Sequence, residues 1–87
     1  MEKEIMIKNK TGLHARPVAQ FVEFVKKYPE KIMIYKGDKS SSATSLLSLL
    51  GLGISQGDKI RLEVSGENAE RILTEVAEFL EGLADVE

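Results

Sequence analysis

The chain has 87 residues, 43% of them hydrophobic, with 12 basic and 14 acidic side chains and a net charge of −2. It contains no cysteine and one histidine. Disulfides, thiolate chemistry and Cys-based zinc sites are therefore excluded, and a His-rich metal centre is argued against. There is no basic stripe, and aromatic side chains are few, so nucleic-acid binding is disfavoured. From the first residues on, Glu4 to Lys8 form a short β-prone run with Ile5 and Ile7 on one face, followed by a loop over Asn9 to Leu13. Between Arg16 and Lys27, Val18, Phe21, Val22 and Val25 follow helical spacing. Tyr28-Pro29 ends that helix, because the residue before a proline is pushed out of the α region. Lys31 to Lys36 alternates, with Ile32 and Ile34 inward. Gly37-Asp38 reads as a type II′ turn, and Lys39 to Thr44 returns as a polar edge strand.

Ser45 to Leu52 reads as a short helix with Ser45 as N-cap and Gly51 or Gly53 at its end. Gln56-Gly57-Asp58 is a turn. Lys59 to Ser65 alternates with Ile60, Leu62 and Val64 inward. Glu67 to Leu83 is the longest helix, with Ala69, Ile72, Leu73, Val76, Leu80 and Leu83 as its apolar stripe. The order β-α-β-β-α-β-α predicts an α+β fold, one sheet of four strands with helices on one face. The crossover through the first helix is expected to bring the second strand back beside the first. Residues 1–87 are expected to form one domain, for which roughly 60–65% surface burial gives a modest core without a metal or disulfide, and no cofactor is expected. The charged start, Met1-Glu2-Lys3-Glu4, does not read as a signal peptide. The longest apolar stretch, Leu46 to Ile54, is interrupted and too short to span a bilayer. The expectation is a cytoplasmic monomer with no direct membrane contact.

The histidine lies in the run Gly12-Leu13-His14-Ala15-Arg16-Pro17. Gly12 permits a tight turn, and Pro17 is preset for the first turn of a helix. His14 thus falls at a helix mouth, where unpaired backbone N–H groups, here those of Ala15 and Arg16, attract anions. An imidazole nucleophile beside an arginine and a helix N-terminus suits phosphate handling. The second feature is Thr44-Ser45-Leu46-Leu47-Ser48-Leu49-Leu50-Gly51-Leu52-Gly53-Ile54. Its five leucines are more than one side of a two-turn helix can bury. Leu49 and Leu52 are expected in the core, leaving Leu46, Leu47 and Leu50 at least partly exposed.

These two motifs, the element order and the length resemble the HPr family of phosphocarriers in the bacterial phosphoenolpyruvate-dependent sugar phosphotransferase system. The likeness runs from about residue 2 to residue 84. It implies an HPr-like open-faced β-sandwich, a four-stranded antiparallel sheet covered on one face by three helices. It implies that His14 carries a phosphoryl group on Nδ1 between enzyme I and sugar-specific enzyme IIA components, with Arg16 stabilising the phosphate. It places Ser45 on the family's regulatory serine, a substrate of HPr kinase/phosphorylase and a signal to a catabolite regulator, and makes Leu46, Leu47 and Leu50 a docking patch. Thr44 and Ser48 depart from the family's frequent lysine and glycine. On this reading the chain is a covalent intermediate and not an enzyme, since nothing in it supplies a substrate pocket or general base. The alternatives are a regulatory interaction module working mainly through Ser45, and a carrier dedicated to a nitrogen-related or dihydroxyacetone relay.

Overall fold

Lys59 to Val64 alternates so that Ile60, Leu62 and Val64 leave at most 1% of their surface accessible. A strand that apolar on one side is most stable with a neighbour on each edge, and it occupies the interior of the sheet. The computed structural model describes residues 1–8 and 15–82. Its elements are β1 (Glu2–Met6), α1 (Ala15–Val25), β2 (Ile32–Lys36), β3 (Lys39–Ser42), α2 (Leu46–Gly51), β4 (Lys59–Val64) and α3 (Ala69–Gly82). The sheet order is β1-β4-β2-β3, and every neighbouring pair is antiparallel.

This order corrects one expectation. β2 does not lie beside β1, because β4 is inserted between them, pairing Ile5 with Ile60 on one side and Ile34 with Leu62 on the other. The physical reason is burial. β4 brings three inward apolar side chains, whereas the inward side of β3 offers Ser41, a small polar residue that suits an edge. β3 is an edge strand, as its polarity predicts.

Boundaries shift where pairing decides them. β1 starts at Glu2 and not Glu4, because Glu2 and Lys3 pair with Glu63 and Leu62. Ile7, beyond the strand, still donates from its N–H to Asp58 O at 2.9 Å. β3 ends at Ser42, where Ala43 turns inward to full burial and donates its N–H to Ile32 O. α1 begins one residue earlier than predicted, at Ala15, and ends at Val25. α3 begins at Ala69, two residues later than predicted. Gly37 has φ +61 and Asp38 does not share the left-handed region, as a type II′ turn requires. The predicted loop over 9–13, His14 and Leu83 lie outside the described residues.

Three helices cover one face of the four-stranded sheet. Val18, Phe21, Val22 and Val25 of α1, Leu49 of α2, and Ile72, Val76 and Leu80 of α3 meet the inward side chains of the strands in one core. At the seam of α1 and α3, Phe24 stacks on Phe79 with ring centroids 4.1 Å apart, and the Lys27 ammonium lies 4.1 Å above Phe24. Tyr28, beyond the end of α1, donates from its hydroxyl to Glu75 Oε1 at 2.5 Å. The opposite face of the sheet carries Arg61 over the Tyr35 ring at 4.4 Å, with the Tyr35 hydroxyl donating to Glu63.

Leu62→Ala should lower the unfolding free energy by about 2–5 kcal/mol, because a fully buried leucine leaves a cavity in the central strand. Leu47→Ala, at a residue 83% exposed, should stay within about 0.5 kcal/mol in the same urea titration. Burial, then the hydrogen bond to Glu75 and its charge, push the Tyr28 phenol from 10.0 up to about 12. A group whose pKa is raised on folding stabilises the fold fully below its unfolded value and loses that contribution as pH climbs through the folded one. Stability owed to Tyr28 should therefore decline between about pH 10 and 12. Ultraviolet titration of the native protein should show a late tyrosinate step that disappears in Tyr28→Phe.

Candidate phosphoryl-transfer site

Two helix starts assemble the site. α1 begins with Ala15-Arg16-Pro17, so the residue that follows His14 is already helical. Pro17 is buried in the first turn and lacks an N–H, which leaves Ala15, Arg16 and Val18 as the donors at this end. The first turn contains no acidic side chain, so nothing there opposes the positive end of the helix dipole. Arg16 is exposed at the protein–water boundary. His14 itself and the side chain of Ala15 lie outside the described residues.

α2 packs against α1 and supplies the second start. Ser45 occupies the N-cap position in extended conformation, φ −108° and ψ 103°, and its carbonyl accepts the N–H of Leu49 at 3.0 Å. Its hydroxyl, however, makes no capping hydrogen bond. The expected side-chain cap is thus absent, and the local hydrogen bonding explains how the turn is held instead. The Ser45 N–H donates to Ser42 O at 3.2 Å, Ser42 Oγ and Thr44 Oγ1 are 3.0 Å apart, and the Thr44 N–H donates to Ser42 Oγ at 3.3 Å. Ser42 and Thr44 therefore set the entry to α2. The signal was present in the serine-rich stretch before Ser45, since Ser and Thr hydroxyls bond nearby backbone groups in turns. Ser45 is half-buried, and its hydroxyl does not cap α2.

The leucines divide as their spacing suggests. Leu49 and Leu52 are buried at 3% and 5% exposure, Leu46 and Leu47 are exposed at 37% and 83%, and Leu50 is half-buried against the core. Gly53, with φ +63, takes the left-handed position after the helix, and its N–H donates to Leu50 O; of the two candidate glycines it is the one that turns the chain. No cluster of three or more His, Cys, Asp or Glu able to hold a metal occurs among the described residues. No described helix is long and apolar enough to cross a membrane.

Comparison with known proteins returns one answer throughout. The chain is 38% identical over 85 residues to the phosphocarrier protein HPr of Borreliella burgdorferi, covering 98% of this chain and 99% of that one. It is 35% identical over 81 residues to the HPr-like protein Crh of Halalkalibacterium halodurans, covering 93% and 96%. The crystal structure of HPr-C-His from Thermoanaerobacter tengcongensis superposes with a TM-score of 0.91 at 37% identity, covering 100% of this chain and 98% of that one. The family model for the PTS HPr component phosphorylation site matches residues 1–82. A match that takes in all seven elements, joined to a fold shared at this level of identity, means that the chain belongs to the PTS HPr family.

Proposed function

We propose that the protein relays a phosphoryl group, received from phosphoenolpyruvate by way of enzyme I, to sugar-specific enzyme IIA components, holding it in between on His14. The observation that carries this reading is the Gly12-to-Pro17 run placed directly at the start of α1, whose first turn is free of acidic side chains. The chain acts as a carrier, not an enzyme: it holds the group and leaves both transfers to be completed with partner proteins.

The chemistry needs little more than placement. His14 in its neutral form presents the Nδ1 lone pair, and the bond from phosphorus to the leaving group of the donor enzyme I breaks as the N–P bond to His14 forms. Three oxygens bear the charge of the group in flight, so stabilisation is electrostatic. The N–H groups of Ala15 and Arg16 at the start of α1 and the helix dipole supply it, and the Arg16 guanidinium adds a mobile counter-charge. The same positive end of α1 disfavours imidazolium and keeps the ring nucleophilic. Because Arg16 is exposed, solvent screens it. The phosphate is held without being trapped, as a relay requires.

Leu46, Leu47 and Leu50 form the docking surface for enzyme I and enzyme IIA. An exposed leucine contributes little to folding, whereas an apolar side chain central to an interface can contribute 2 kcal/mol or more to binding. Ser45 acts as the regulatory site. Its hydroxyl is not spent on capping α2, which favours modification by HPr kinase/phosphorylase, and a phosphate there places a dianion beside the docking leucines and offers a charged feature to a catabolite regulator. Such a phosphate sits at a helix N-terminus, so it alters the surface more than the fold.

Incubation with enzyme I and phosphoenolpyruvate should yield an acid-labile, base-stable phosphoprotein that loses its label to enzyme IIA. His14→Ala should remain unlabelled and Ser45→Ala should label as wild type does; equal labelling of His14→Ala would overturn the assignment. Leu47→Asp should leave the melting temperature nearly unchanged while weakening apparent affinity for enzyme I by about tenfold, the scale of one modest interface contact. Unchanged affinity would remove Leu47 from the docking surface.

A further inference from the structure

Lys36, the last residue of β2, lies beside the entry to the neighbouring β4 and reaches the chain between α2 and β4. Its Nζ donates to Gly53 O at 2.6 Å and lies 2.9 Å from Asp58 Oδ2. The same carboxylate oxygen accepts the Ser55 N–H at 2.8 Å, while the Asp58 N–H donates to Ser55 O at 3.0 Å. Turn 55–58 is thereby closed on itself and tied to the β2–β3 hairpin. Both side chains are about two-thirds shielded, at 29% and 31% exposure, and are thus less exposed than the bridges between β1 and β4, whose side chains lie between 47% and 67%.

The other side of this turn grips the exit of β1. The Ile7 N–H donates to Asp58 O at 2.9 Å, the Gly57 N–H donates to Ile7 O at 2.8 Å, and Gln56 Nε2 reaches Lys8 O at 3.5 Å. Lys8 precedes the six residues, 9–14, that end in His14. A segment of that length spans at most about 3.3–3.6 Å per residue, so where it can reach depends on where it is anchored.

We infer that Lys36 and Asp58 are positioning residues for the phosphoryl relay: they hold turn 55–58, and through it Ile7 and Lys8, so that the segment bearing His14 departs from a fixed anchor. This rests on the carrier reading of His14. Neither residue touches the phosphoryl group; both act through the turn. Lys36 also binds the exit of α2 at Gly53, so the Ser45 helix and the His14 segment share one tether. Asp38, Lys39 and Lys59 line the same shallow concavity, so a purely electrostatic influence on His14 is the competing explanation, and the two make opposite predictions. Removing the positive charge of Lys36 and the negative charge of Asp58 should move the His14 ring titration in opposite directions if charge alone matters. Releasing the turn should act in one direction for both.

The test uses the full chain as Lys36→Met, Asp58→Asn, the double variant and Lys36→Arg, each checked for melting above the assay temperature. Should Lys36→Met fail to fold, Lys36→Gln, which keeps a donor for Gly53 O, takes its place. Both single variants should shift and broaden the His14 ring resonances in the same sense and slow phosphorylation by enzyme I by roughly three- to tenfold, since small misplacements of a reacting group carry large rate effects. The double variant should be no slower than the slower single, as expected of one coupled unit, and Lys36→Arg should recover most of the rate. Unchanged His14 resonances, or opposite shifts in the two singles, would overturn the inference. The resonances are read without a partner, so they decide it even if a wild-type chain that accepts no phosphoryl group has overturned the carrier reading.

Discussion

β4 lies between β1 and β2, antiparallel to both, and the position of every other part of the site follows from that pairing. Its buried Ile60, Leu62 and Val64 give the helices a surface to pack on. By separating β1 from β2 it also sends the chain through a crossover in which α1 must lie on the covered face. The start of α1 is thus fixed by the core through Val18, Phe21, Val22 and Val25, not by the residues ahead of it. The turn that enters β4 holds the end of β1 by backbone hydrogen bonds to Ile7. One strand therefore governs both chain segments that flank His14.

The division of labour between core and surface is sharp in α2. Leu49 and Leu52 fasten the helix, while Leu47 faces outward at 83% exposure and Leu46 keeps 37% of its surface accessible. Ser45 stands at the boundary, held in place by Ser42 and Thr44 while its own hydroxyl takes no part in capping the helix. A helix start capped by its own serine would have to give up that bond on modification. This one has no such bond to lose.

Much of the architecture was legible from alternation and helical spacing. The inward residues of β2, β4, α1 and α3 are those that periodicity selects, because a strand or helix with one apolar side has one stable orientation. Neighbour relations were not legible in the same way: nothing local in β1 or β2 announces that β4 will separate them, since that outcome depends on the relative burial of distant strands. The Lys36–Asp58 contact was invisible for a similar reason, because the two residues are distant in the chain and each reads alone as a solvated turn charge. The capping role of Ser45 failed on a finer point. Composition identified the position, but the competing hydroxyl network of Ser42 and Thr44 determines which groups bond. The Gly12-to-Pro17 run, by contrast, carried its meaning locally, in a turn residue, a nucleophile and a helix-starting proline.

The central claim is that His14, at the start of α1, is where the phosphoryl group resides. Phosphorus–proton and nitrogen-detected NMR of the protein after treatment with enzyme I and phosphoenolpyruvate addresses this directly. The expected result is one phosphoramidate phosphorus coupled to the His14 ring through Nδ1, with the Ala15 and Arg16 amides showing the largest shifts on phosphorylation. A phosphorus signal coupled to a serine β-proton, or none at all, would contradict it.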